Sequence, residues 1–149
     1  MKIEHDEIKL NIGCGKQKEE GWIGLDKGEY GQEIVRDIRK GLPFCDNSVD
    51  RIRADSVLEH IQMNEDFIFV MNECLRVLKR GGEMYVRVPC WRGESAHKDP
   101  THCRFFDVMS FSYLESANAW HYGFDKRWKV EKKENHNNIT LEFWLIADK

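Results

Sequence analysis

Ile8-Lys9-Leu10-Asn11-Ile12-Gly13-Cys14-Gly15 is the stretch that decides the fold. Apolar and polar side chains alternate from Ile8 to Ile12, the period of a half-buried strand. The strand stops at Gly13-Cys14-Gly15, where two glycines permit a tight turn or a close backbone approach to a ligand. The same grammar repeats downstream. Trp22-Ile23-Gly24-Leu25 is a second short apolar run and ends at Asp26; Glu33-Ile34-Val35-Arg36 is a third and ends at Asp37. Gly41-Leu42-Pro43-Phe44 reads as loop and Asp46-Asn47 as a turn, before a fourth strand over Val49–Ala54.

A helix follows. Asn64 is its expected N-cap, with Glu65 and Asp66 in the first turn, where the helix dipole favours acids. Phe67, Met71, Cys74, Leu75 and Leu78 then share one face, and Gly81-Gly82 is the expected stop. Met84–Val88 reads as a fifth strand, halted by Pro89. Residues 90–107 have little periodicity, and a short helix is expected from about Asp107 to Leu114. Two further strands, roughly Arg127–Lys133 and Ile139–Ala147, are joined by Glu134-Asn135-His136-Asn137-Asn138, which has hairpin composition. Strands that end in Gly or Asp, with helices and loops between them, define an α/β fold with a mostly parallel sheet. The hairpin adds an antiparallel edge.

Composition narrows the possibilities. The 149 residues are one domain's worth, so we expect a single domain over 1–149. There are 23 Lys and Arg against 26 Asp and Glu, a net charge of −3, which argues against a nucleic-acid binder. No apolar run approaches the ~20 residues of a membrane span. Met1–Glu7 carries no apolar core of a secretory signal. Five cysteines without a CxxC pair are neither a disulfide framework nor a zinc ribbon. The expectation is a reduced, cytoplasmic protein.

In open α/β sheets, ligands bind beyond the carboxyl ends of the strands. There this chain places Gly13-Cys14-Gly15, Asp26 and Asp37 in order. A glycine turn lets a ligand rest on backbone. An acid after the second strand can accept both ribose hydroxyls, and one after the third can accept the amino group of adenine. Either acid alone reads equally well as a turn residue; together with the glycine turn they describe an adenosine-shaped site. A dinucleotide fingerprint needs G-x-G-x-x-G, and its third glycine position is Lys18. That speaks against a nucleotide-binding oxidoreductase. The P-loop pattern also fails, because Gly15-Lys16 is followed by Gln17. An adenosine ligand without a phosphate cradle fits best, and S-adenosylmethionine is the common one.

At this point the sequence resembles the Rossmann-like (class I) S-adenosylmethionine-dependent methyltransferases. Leu10-Asn11-Ile12-Gly13-Cys14-Gly15 is similar to their glycine motif. Asp37 to Ile61, with Leu42-Pro43-Phe44, Asp46-Asn47-Ser48-Val49-Asp50 and Val57-Leu58-Glu59-His60-Ile61, resembles their middle motifs. Leu75–Glu83 resembles the helix end before their fifth strand. The resemblance covers roughly residues 8–114 and implies a sheet of about seven strands. It also implies roles: Gly13, Cys14 and Gly15 under the methionine and ribose, Asp26 on the ribose hydroxyls, and Asp37 with Ile38 at adenine. Asp55 and Ser56 would contact the cofactor through backbone, with Glu59-His60 at the site entrance. Two departures stand out. Asn11 occupies a position where the family often has an acid, which keeps the acceptor but loses the charge. Gly15 to Trp22 is too short for a multi-turn helix, so the first crossover helix is expected to be lost and the helix complement reduced.

Methyl transfer is an in-line displacement from an activated sulfonium, so the protein mainly positions and dries the reactants. A base helps when the nucleophile carries a proton. His97-Lys98-Asp99-Pro100-Thr101-His102 follows the fifth strand at the correct sheet edge. We expect His102 as base, with His97 and Asp99 next; the competing reading is a turn that His102 holds together. His97, Asp99, His102 and Cys103 match no standard zinc spacing, so no metal site is expected. Cys90 reads as an ordinary thiol rather than a nucleophile. Trp91, Trp120, Tyr122, Phe124 and Trp128 either line an acceptor pocket or roof a small core. Lys126, Arg127, Lys129, Lys132 and Lys133 read as a solvated strand face. The expected acceptor is a small molecule or a saccharide. The alternative is a non-catalytic, regulatory or partner-dependent module that keeps the cofactor site. With so little lid of its own, the chain is a candidate for completion by a partner or a second copy.

Overall fold

The structure, a computed structural model, describes residues 6–149; most of the N-terminal segment Met1–Glu7 discussed above lies outside the described residues. Seven strands form one sheet: β1 (Lys9–Ile12), β2 (Trp22–Asp26), β3 (Ile34–Val35), β4 (Val49–Asp55), β5 (Leu78–Pro89), β6 (Trp128–His136) and β7 (Thr140–Ala147). The order across the sheet is β3-β2-β1-β4-β5-β7-β6. The pairs from β3 through β5 are parallel, and β7 runs antiparallel to both β5 and β6. The chain therefore winds outward from β1 to β3 and then crosses back to β4. That reversal opens a crevice beyond the carboxyl ends of β1 and β4.

No helix joins β1 to β2. Nine residues, 13–21, make the crossover in turns held by Gln17 N–H on the Cys14 carbonyl (3.0 Å) and Trp22 N–H on the Glu19 carbonyl (3.1 Å). The consequence runs through the packing. Ile52, Ala54, Met84, Val86, Val88, Leu141, Phe143 and Leu145 are buried on one face of the sheet, joined by Phe67, Met71, Cys74 and Leu75 of α1 (Asn64–Val77). The alternate residues Arg53, Tyr85 and Trp144 are only partly buried, and Arg87 is exposed. They form a ladder on the other face, with Arg53 over the Tyr85 ring (5.9 Å), Tyr85 against Trp144 (5.4 Å) and Lys132 over Trp144 (4.5 Å). Parallel sheets normally bury both faces; here one face is finished by polar and aromatic side chains.

Several local expectations are corrected. Met63, not Asn64, is the N-cap of α1 and makes no side-chain cap; Asn64 Oδ1 instead accepts from Arg104 Nη2 at 3.0 Å. The helix ends at Val77 rather than at Gly81-Gly82, and Leu78 turns directly into β5. Leu78 takes extended backbone there, and Lys149 meets the helix end. Its ammonium donates to the carbonyls of Arg76 and Leu78, meeting orphan acceptors at the helix end. The helix expected over Asp107–Leu114 is a turn at Asp107–Ser110 and a 3₁₀ turn at Ser112–Glu115. Phe106 and Phe111 stack in the core there, with ring planes 4° apart. Two short helices are not foreseen by the sequence pattern: α2 (Glu94–Lys98), in the stretch of little periodicity, and α3 (Ala117–His121), before the hairpin. The C-terminal hairpin forms, but β6 runs on through Glu134 and Asn135 to His136, which pair with β7, so the join is residues 137–139; Asn137 and Asn138 take φ of 53° and 59°, the signature of a type I′ turn.

Candidate functional site

A cavity of about 470 Å³ opens at the strand ends. Its walls include Gly13 after β1, Asp26 at the end of β2, Asp37 and Ile38 after β3, and Ser56 after β4. Five residues singled out by sequence thus share one concavity. Asn11, Cys14, Gly15 and Asp55 stand behind or beside this wall. Asn11 is buried within β1, and Cys14 is buried with its thiol pushed up from the ordinary value, mainly by that burial.

Each wall residue is fixed by its local chemistry. Gly13 has φ 63°, and a Cβ there would lie 2.3 Å from Val57 Cγ2, so only glycine fits the turn. Gly13 N–H and Cys14 N–H both donate to the Leu25 carbonyl, at 2.7 and 3.2 Å, which folds the loop over the end of β2. Asp26 accepts from Gly15 N–H and Gly28 N–H, one on each oxygen and both at 2.9 Å. Each oxygen keeps a lone pair for a further donor. Asp37 caps the 3₁₀ turn Ile38–Lys40 and takes both arms of the Arg39 guanidinium. That partner holds its carboxyl down at about 2. Ser56 is in the left-handed region, φ 59°, with its hydroxyl donating to Asp55 Oδ1 at 2.9 Å. Strained backbone of this kind clusters at functional sites.

The opposite wall comes from His60, Ile61 and Thr101. Here two segments distant in sequence are clamped together. Cys103 N–H and Arg104 N–H both donate to the Glu59 carbonyl, at 3.0 and 3.1 Å, and Arg104 Nε donates to the Ile61 carbonyl at 3.1 Å. The clamp brings the His102 ring to 4.8 Å from the His60 ring. It also brings His102 Nε2 to 3.9 Å from Glu59 Oε1 and 3.6 Å from Asp99 Oδ2. Glu59 is buried, and that burial pushes its carboxyl up to about 6. His102 and Asp99, two of the expected catalytic residues, therefore meet. His97 does not join them. Its Nε2 sits 2.8 Å from the Trp91 carbonyl, its ring stacks on Phe105 at 5.0 Å, and it faces a separate cavity beside Arg92 and Lys98.

Sequence reasoning missed Tyr30, Arg36, Arg39 and Thr101 as cavity-wall residues. None ends a strand as Asp26 does, and only the distance of Arg39 from Asp37, two residues, carried a signal. A second cavity, about 590 Å³ and mostly apolar, lies on the far side of the Arg104–Ile61 contact. Phe67, Phe105, Phe106, Phe111, Tyr122 and Phe124 are among its rings. Of the loop aromatics, Tyr122 and Phe124 thus line a pocket, whereas Trp128 is buried in the core. Cys90 is buried as well. In the basic cluster, Arg127 pairs with Asp125 (2.7 Å) and Lys132 with Glu134 (2.6 Å).

Residues 19–86 match the methyltransferase domain family. No curated protein sequence matches the chain. Among solved structures, the chain is similar to one from a Haloferax volcanii complex of the Trm112 methyltransferase activator with a candidate methyltransferase. The identity is 15%, with 100% of this chain and 86% of that one covered at a TM-score of 0.72. An S-adenosylmethionine-dependent methyltransferase from Archaeoglobus fulgidus is 17% identical, covering 94% and 86%, with a TM-score of 0.67. One from Methanosarcina mazei is 18% identical, covering 97% and 93%, with a TM-score of 0.66. At such identities the likeness is one of fold.

The strand order is that of the Rossmann-like S-adenosylmethionine-dependent methyltransferase fold, and residues 19–86 carry the match to the methyltransferase domain family. S-adenosylmethionine is the cofactor that this family implies, and the cavity suits it: acids at two strand ends, an apolar side chain at Ile38 and a glycine turn, in about 470 Å³. No helix among the described residues is long and apolar enough to cross a membrane.

Proposed function

We propose that the chain transfers a methyl group from S-adenosylmethionine to a small-molecule or saccharide acceptor. The observation that carries this reading is the cavity that gathers Gly13, Asp26, Asp37, Ile38 and Ser56 from the ends of β1 to β4. Asp26 accepts the ribose hydroxyls with its remaining lone pairs. Asp37 accepts the adenine amino group and Ile38 packs on the ring. Gly13, Cys14 and Gly15, with Asn11 behind them, carry the ribose and methionine. Asp55 and Ser56 close the cradle through backbone. The cofactor supplies an activated methyl group, so the chain's own task is positioning and exclusion of water.

At the acceptor end His102 takes the nucleophile's proton, with Asp99 at 3.6 Å to hold the imidazolium. His97 supports the loop from its contact with the Trp91 carbonyl. The aromatic cavity beyond Arg104 supports an acceptor that presents a ring or a sugar face. A partner-dependent enzyme is the second reading. The missing first crossover helix leaves the cofactor cavity without a lid on that side, and the Haloferax volcanii structure is a complex with an activator.

Calorimetric titration with S-adenosylhomocysteine, beside NADH as control, tests the cofactor assignment. Saturable binding of the former alone is expected. Asp26→Ala should weaken it about 10- to 100-fold, the worth of one or two hydrogen bonds to a charged group. Equal affinity in the variant would remove Asp26 from the ribose.

A further inference from the structure

We propose that Glu59, His60 and His102 form a binding site for a divalent transition-metal ion. One donor atom from each of the three lies within 4.8 Å of the others. Four ligands around a small divalent ion sit about 3.4 Å apart when bonds are near 2.1 Å. Modest side-chain rotation therefore closes the set. Two imidazoles and one carboxylate suit zinc, cobalt, nickel or iron rather than magnesium or calcium, which prefer oxygen.

A second observation concerns the same side chains. Glu59 is 1% exposed, and its Oε2 has no hydrogen-bond partner. His102 Nδ1 is also buried and without a partner. Buried polar atoms are rarely left so, and each needs a reason. A cation offers one for the carboxylate. The clamp described above fixes the backbone of both ligand-bearing segments, so the site is assembled before any ion arrives.

The outer contacts are those of a ligand histidine. The Thr101 hydroxyl donates to Asp99 Oδ1 at 2.7 Å, so toward His60 Nδ1, 3.1 Å away, its oxygen accepts. The proton of His60 is thereby placed on Nδ1, and the lone pair on Nε2. A carboxylate-backed relay that orients an imidazole in this way is the usual second layer of a metal centre. Three protein ligands leave a fourth position open, the arrangement of reactive rather than structural sites. His60 also lines the cofactor cavity, which puts that opening beside it.

This inference does not rest on the cofactor assignment. It gives His102 a second role that excludes the first, since an imidazole ligating through one nitrogen carries its proton on the other.

The test is titration of the full chain with cobalt(II), followed by calorimetry and visible absorption. One saturable equivalent is expected, lost in His60→Ala and in His102→Gln. His60 is exposed, so its replacement keeps the test independent of folding. Thr101→Val should weaken binding about 10- to 100-fold. His136→Ala is the control, because Glu134, His136 and Glu142 form a second, more exposed cluster. No binding, binding unchanged in His60→Ala, or binding lost only in His136→Ala overturns the proposal. Titration of the same samples with S-adenosylhomocysteine separates the two readings. If that ligand binds and cobalt does not, this inference alone fails; if cobalt binds, His102 is removed as base, and the cofactor assignment fails as well only where that ligand does not bind.

Discussion

The two walls of the cofactor cavity are held by different means. Gly13, Asp26, Asp37 and Ile38 hang from the ends of adjacent parallel strands, where ladder pairing fixes their spacing. His60 ends a 3₁₀ turn (Leu58–His60), Ile61 follows it and Thr101 sits on a loop, and two backbone donors on one carbonyl, with one arginine, keep the two segments together. A strand-end wall is rigid because the whole sheet supports it. A clamped wall is only as firm as its few polar contacts, and its stability is separable from that of the sheet. The comparison also places the unusual chemistry. The strand-end wall carries ordinary ligand-binding groups, whereas the clamped wall carries the buried Glu59 and the histidine pair.

The largest effect expected on this contrast is at Gly13. Alanine there is strained by about 1–3 kcal/mol in the left-handed region, before its Cβ meets Val57 at 2.3 Å. Val57 also lines the cavity, so it would be pushed into the ligand's space. Gly13→Ala should lose measurable S-adenosylhomocysteine binding and unfold at lower urea. Retained affinity would mean that the turn does not shape the cavity.

Arg104→Ala probes the other wall. The side chain ties Ile61 and Asn64 and lies 4.3 Å over the Phe67 ring. Its loss should cost about 1–3 kcal/mol of stability, because the Ile61 carbonyl loses its partner and the ring loses its cation. The affinity for S-adenosylhomocysteine should change by less than about threefold, under 0.7 kcal/mol. A fall as large as that at Gly13 would show that the two walls act as one.

The same contrast explains what could be read in advance. β1, β2, β4 and β7 follow from alternation or from apolar runs with turn residues at their ends, and Asp26 and Asp37 follow from standing where strands stop. The lost first crossover helix follows from counting residues between Gly15 and Trp22. The meeting of Glu59 and His60 with His102 does not. It is made across more than 40 positions by backbone donors that every residue type possesses. Residues 97–103 carry no zinc spacing by themselves, and Glu59 and His60 of the proposed set come from the turn after β4. The end of α1 is met from a distance as well: Lys149, 73 positions away from Arg76, supplies the cation at its carbonyls. Local pattern reports elements and their ends; it does not report which distant polar group arrives to finish them.

The smallest expected effect lies at Asp37 and sharpens the account of the strand-end wall. Both of its oxygens are engaged: Oδ1 by the Arg39 N–H and Nε, Oδ2 by Nη2 at 2.6 Å. An adenine amino group must therefore displace the guanidinium. Arg39 is half exposed, so the pair is worth about 0–1 kcal/mol. Arg39→Ala should tighten S-adenosylhomocysteine binding by up to about fivefold, the factor that corresponds to 1 kcal/mol. The pH dependence has a definite sign. A carboxyl held at about 2, against an ordinary 3.8, favours the folded state at pH above 3.8. That contribution fades as pH falls through about 2, and only below that is Asp37 protonated in both states. Urea unfolding of wild type and Arg39→Ala should thus differ slightly at pH near 5 and converge as pH falls below about 2. Weaker ligand binding in Arg39→Ala would assign the contact to the guanidinium itself, and the strand-end wall would then read the ligand through a residue that ends no strand.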